Sequence, residues 1–150
     1  MCMVRSVRRM PEFDWDGWEK TVPTEWKDRR LHWHCHSCRM EGETYGNEAA
    51  RRDLATEYAP KLIRDWLRKP VRTVRRVAMV PEDGVAWLRE QWAPIRAQAG
   101  EEAEAIPDAA RFGRAEHALR GGADVCWGFW LNGSTHLHLA IVGTSEACHA

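Results

Sequence analysis

The chain has no apolar run near the ~18 residues that a membrane-spanning helix requires. Its longest apolar stretch near the start, Met1-Cys2-Met3-Val4, runs into Arg5, Arg8 and Arg9. Export signals carry their positive charges ahead of the apolar stretch, so the expectation is a cytoplasmic protein with no membrane partner. An excess of charge of one sign is also missing. With 22 Lys and Arg against 22 Asp and Glu, the formal net charge is zero. No global field draws the molecule to nucleic acid or anionic lipid, and any such attraction must come from a local patch. The five cysteines, Cys2, Cys35, Cys38, Cys126 and Cys148, are an odd number. Without an export signal they read as thiols or thiolates, not as a disulfide framework. No phosphate loop, dinucleotide fingerprint or nucleophile elbow is present, nor the His-x-Glu pairing of a zinc deaminase.

Nine tryptophans stand against two tyrosines and three phenylalanines. Indole rings bury much area per position, so they supply either a Trp-rich core or an aromatic surface for a partner. A length of 150 residues fits one domain. A chain of that size buries roughly two-thirds of the surface that it exposes when unfolded. The stretch 1–30 reads as a loop-rich arm whose tryptophans, Trp15, Trp18 and Trp26, dock onto a body formed by 31–150.

Within the body, Leu31 to Cys35 reads as a short strand entering a turn at His36-Ser37-Cys38, with a second short strand near Glu43-Thr44-Tyr45. Asn47 is an N-cap candidate. Leu54, Tyr58, Leu62 and Trp66 then recur every four residues, which predicts an amphipathic helix kinked or split at Pro60 and ended by Pro70. A strand is expected over about 73–80. A helix follows from Pro81 with Val85, Leu88, Trp92 and Ile95 on one face, interrupted at Pro94 and stopped at Gly100. A third helix runs from Pro107-Asp108 to Gly121-Gly122. Asn132-Gly133 between two β-rich runs predicts a hairpin of about 124–131 and 135–142. This order gives an α+β fold, a small mixed or antiparallel sheet with about three helices packed on it.

The segment His32-Trp33-His34-Cys35-His36-Ser37-Cys38 carries the clearest chemical signal. Cys35 and Cys38, in a tight turn, would supply half of a tetrahedral zinc site, and the segment resembles a zinc-ribbon knuckle over about ten residues. The remaining ligands are sought in Cys148 and His149, with His32 or His34 able to complete four. His32, His34 and His36 alternate along a strand and so share one face, opposite Cys35. His136 and His138 also share a face, and with Cys126 they form an alternative metal or pocket site, as a metalloenzyme with an open coordination position would use. Cys126 beside either histidine is also a candidate nucleophile. Arg64, Arg68, Lys69, Arg72, Arg75 and Arg76, opposed locally by Asp65 alone, form a basic stretch that could meet phosphates if they share a face.

Together these features predict a small zinc-stabilised binding or adaptor protein that contacts a protein or nucleic-acid partner. A small metalloenzyme and an apolar-ligand binder with a pocket at Trp127, Phe129 and Trp130 are the alternatives.

Overall fold

Asn132 and Gly133 both hold positive φ, 51° and 74°, the backbone that closes a tight hairpin with the twist of its flanking strands. The computed structural model, which describes residues 22–146, has the expected hairpin there. Four strands, β1 (His32–Glu41), β2 (Arg76–Ala78), β3 (Val125–Leu131) and β4 (Thr135–Thr144), form one sheet in the order β2-β1-β4-β3. Every pairing is antiparallel. The helices are α1 (Glu25–Asp28), α2 (Gly42–Tyr45), α3 (Glu48–Arg52), α4 (Pro81–Trp92), α5 (Glu101–Glu104) and α6 (Asp108–Arg120). The protein is an α+β fold.

Strand alternation divides the interior in two. Trp33 and Cys35 on β1, Val125 and Leu131 on β3, and Leu137, Leu139 and Ile141 on β4 face α4 and α6, where they meet Leu88, Trp92, Phe112 and Leu119. The other face presents Met40, Ala140 and Val142, which pack with Ala59 and Trp66 from the segment between α2 and β2. The sheet is therefore covered twice, by regular helices on one side and by an irregular cap on the other. The N-terminal arm reaches the body at α1. There Trp26 lies 5.6 Å from Trp33 between ring centroids, and Arg29 Nη1 donates to the Gly122 carbonyl at 3.0 Å. Trp15 and Trp18, like Cys148 and His149, lie outside the described residues.

Several local expectations need correction. His36-Ser37-Cys38 is not a turn. β1 continues through Glu41, because all ten of its residues pair with β4, Cys38 opposite His138 and Met40 opposite His136. Residues 43–45 form a helical turn, not a strand. The expected long helix shrinks to α3, an irregular stretch and a 3-10 turn at Ile63–Arg68. Asn47 does cap α3, its side chain accepting from the Ala50 N–H at 3.1 Å. The stripe behind the longer prediction is not buried as a unit: Leu62 is 61% exposed and Tyr58 40%, and only Trp66 is enclosed. The strand expected at 73–80 is confined to Arg76–Ala78.

Candidate functional site: a histidine face and an open strand edge

The β1–β4 register gathers five of the seven histidines onto the irregularly capped face. His32, His34 and His36 alternate along β1, and His136 and His138 along β4, with Cys38, Cys126 and Trp130 on the same side. Trp66 lies over this layer. Its ring stacks on His36 with centroids 4.4 Å apart, and its Nε1–H donates to His138 Nε2 at 3.1 Å. The His36 Nδ1–H donates to the Thr73 carbonyl at 3.0 Å. Each imidazole thus has a defined neutral form, with the proton on Nδ1. Burial lowers His36 and His138 to pKa values of about 4, assisted at His138 by the neighbouring His136 and Arg51. His136 is also lowered by burial. A Cβ on Gly128 would stand 2.8 Å from His136 Nε2, so the glycine in mid-strand leaves room for that ring.

Cys126 Sγ lies 3.9 Å from His138 Nε2, the one close pairing among the alternative site residues. Its chemistry is that of a neutral pair. Burial raises the Cys126 thiol and lowers the His138 imidazole. An activated thiolate requires the opposite shifts. Cys35 and Cys38 are not brought together. Three positions apart on a continuous strand, they project from opposite faces. Cys35 is enclosed against the helices, its thiol pushed up to about 12 by burial, and Cys38 sits under the irregular cap. Among the described residues no group of three or more His, Cys, Asp or Glu side chains is placed to hold a metal ion.

The basic stretch is dispersed. Arg64 pairs with Asp124 at 3.0 Å, Arg68 with Asp65, Arg72 with Glu57 and Arg76 with Glu90. Lys69 turns inward to the Arg51 and Asp53 carbonyls and the Thr56 hydroxyl. Arg75 contributes its backbone N–H to the Cys35 carbonyl at 2.8 Å. The three aromatic residues of the supposed apolar pocket also separate. Trp127 and Phe129 face the helices, whereas Trp130 lies on the histidine face, 5.0 Å from both Tyr45 and His136.

Beside the histidine layer the sheet ends openly. β3 pairs with β4 on one side only. Its sequence, Val-Cys-Trp-Gly-Phe-Trp-Leu, has no charge and no proline, the devices by which proteins usually blunt such edges. The opposite edge strand, β2, is three residues long and carries Arg76. Between the β3 edge and α6 runs a groove of about 440 Å³, lined by Ile106, Arg111, Arg114 and Ala118 on the helical side and by Asp124 to Phe129 on the strand. Arg111 is the groove's buried cation. Its guanidinium lies 3.9 Å from the Trp92 ring centroid and within 6 Å of those of Trp127 and Phe129. One of its amino groups donates to the Ala103 carbonyl, while its Nε has no partner among the described residues. Sequence reasoning missed Arg111 because it looks ordinary on its own helix, and it placed Trp66 on a helical stripe and not over the histidines. The uncharged run 125–131 was the available signal for the edge.

These features define a small α+β domain with one helical cap, one irregular cap and an open sheet edge. No protein-family model matches the chain, and no curated protein or solved structure matches it.

Proposed function

We propose that this protein is a binding module that takes an extended segment of a protein partner onto the β3 edge. One observation carries the reading: a seven-residue uncharged edge strand borders a groove with an aromatic and cationic lining. Strand addition draws affinity from main-chain hydrogen bonds and specificity from pockets for alternate side chains. The edge offers the first, and Trp127, Phe129, Ile106 and Arg111 offer the second. The carboxylate pairing of four of the six cations between 64 and 76 favours a protein over a nucleic-acid partner. The free thiols of Cys35, Cys38 and Cys126 support a reducing, cytoplasmic setting. The test is selection of binders from a displayed library of random dodecapeptides, followed by amide-shift mapping on the full chain. Perturbations centred on β3 and α6 are expected. Selected peptides that map elsewhere, or no selected peptide at all, would end the proposal.

A second reading keeps zinc, as a clamp between the strand β1 and the chain beyond β4. It is favoured by the His32 and His34 rings, whose centroids are 5.2 Å apart on one face, with Thr144 paired to His32. Cys148 and His149 follow within five positions of Thr144 and would supply the other ligands. Metal analysis of untagged protein decides. Stoichiometric zinc should disappear in a His32→Ala/His34→Ala variant and persist in Cys35→Ser, and zinc that survives the double substitution excludes the clamp.

A further inference from the structure

On the side of the sheet away from β3, the strand β1 is longer than its neighbour. It has ten residues, of which β2 pairs only Trp33, His34 and Cys35. Ahead of Arg76 the chain belongs to the irregular cap: Arg75 still donates its N–H to the Cys35 carbonyl, but the Thr73 carbonyl already accepts from the His36 ring. The backbone from Ser37 to Arg39 has no partner strand on that side among the described residues, and a cavity of about 400 Å³ opens there. We propose that this cavity binds a phosphate monoester between Arg39 and Arg75. The site is separate from the β3 groove and does not depend on the strand-acceptor reading.

Geometry is the first support. Strand alternation turns Ser37 and Arg39 to the helix side of the sheet, where the cavity is closed by Gln91 of α4 and by Pro94 and Ile95 just after it. Glu57, Tyr58 and Arg75 line it from the cap side. The cavity thus wraps round the uncovered strand edge, with one arginine reaching it from each side. Its volume falls in the range of small-ligand pockets, about 300–1,000 Å³. Ser37, Gln91 and Tyr58 add neutral polar groups to the two cations, and Pro94 and Ile95 give an apolar wall for the organic part of the ester.

Charge is the second support. Neither Arg39 nor Arg75 has a carboxylate partner among the described residues, and Glu57, the one carboxylate of the lining, is held by Arg72 at 2.5 Å. Under the cap, Arg51 gives its donors to carbonyls, and Lys69 gives its own to carbonyls and a hydroxyl. The charges that bear on the Cys38 thiol, which also lines the cavity, are accordingly all positive: Arg51, Arg75 and Lys69. Clustered cations of this kind raise the local concentration of anions. A phosphate monoester carries about −1.5 to −2 charges at neutral pH and three acceptor oxygens, which guanidinium groups meet in charge-assisted pairs of hydrogen bonds. A monocarboxylate would leave one of the two arginines uncompensated.

Calorimetric titration of the full chain with phenyl phosphate, followed by amide-shift mapping, tests the site. Saturable binding is expected, with shifts centred on 37–39, Arg75 and Gln91. Arg39→Gln and Arg75→Gln, both at exposed positions, should each weaken binding by about tenfold or more with thermal unfolding unchanged. Arg52→Gln removes the same charge from an exposed pair with Glu48 and should leave the affinity as it was. Benzoate should bind about tenfold more weakly than phenyl phosphate, or worse. No binding, shifts that map elsewhere, an affinity unmoved by either arginine substitution, an equal loss in Arg52→Gln, or benzoate or inorganic phosphate binding as tightly as the ester would overturn the proposal. A pentapeptide with a central phosphotyrosine distinguishes the sources of the phosphate. Tighter binding than phenyl phosphate assigns the group to a modified protein side chain, and equal or weaker binding assigns it to a free small molecule.

Discussion

Trp66 touches two imidazoles at once, stacking on His36 and donating to His138. Both histidines have folded pKa values of about 4 against an ordinary 6.5, so between those values the unfolded chain binds protons that the folded one does not. The stability they contribute is complete above pH 6.5 and falls as the pH drops toward 4. A downward shift of this size corresponds to roughly 3 kcal/mol per group at the acid end. Thermal unfolding should thus be insensitive to pH between 7 and 8, and its midpoint should fall steadily from pH 6.5 to 4.5. Trp66→Phe keeps an aromatic ring over His36 but leaves His138 Nε2 without its donor, which should cost about 1–3 kcal/mol in urea denaturation at pH 7. The same change removes a bond that favours neutral His138, so the acid slope should become shallower. A variant with wild-type stability and an unchanged slope would show that the indole N–H is immaterial.

The irregular cap is an element organised by backbone carbonyls. Arg51 Nε donates to Ala59, and its two amino groups donate to Tyr45 and Pro60, while the guanidinium lies 4.8 Å from the Tyr45 ring centroid. Lys69 holds Asp53 and Thr56 from the other side. Arg51→Met would preserve much of the side chain's bulk and leave three carbonyls without their donors, at a cost of about 3 kcal/mol or more. Limited proteolysis should then cut the 53–62 stretch faster than in the wild type, before global unfolding. Equal cleavage rates would mean that the cap is held by other contacts. This dependence on carbonyls explains what the sequence hid. A four-residue repeat from Leu54 to Trp66 carries the period of a helix, but the path of this segment is set by an arginine that chose loop carbonyls as partners, and no periodicity records that choice. The hairpin and the helices from Pro81 and Pro107 were legible because their signals are local: Asn-Gly in one case, a proline-marked start and a repeating apolar face in the others. The shared face of the histidines was legible from alternation alone. That Cys35 and Cys38 part company was not, because it depends on Ser37 and Cys38 pairing with a strand a hundred positions away.

At the scale of the whole molecule, the sheet is unequal from edge to edge. β1 and β4 have neighbours on both sides and caps on both faces, whereas β2 is short and β3 is open. Native-state hydrogen exchange should place the slowest amides in β1 and β4, with the outer amides of β3 protected only to the extent that another segment covers them. Slowest exchange in α4 or α6 would contradict that ranking.

Because His32 pairs with Thr144 and Glu41 with Thr135, β1 finds its main neighbour only after the intervening helices, β2 and β3 have been made. During synthesis the ribosome must release β1, with Trp33 and Cys35 exposed, long before β4 appears. The hairpin, assembled within moments of its emergence, is what closes the molecule, and delay at that step leaves a tryptophan-bearing strand available to any other unpaired edge nearby.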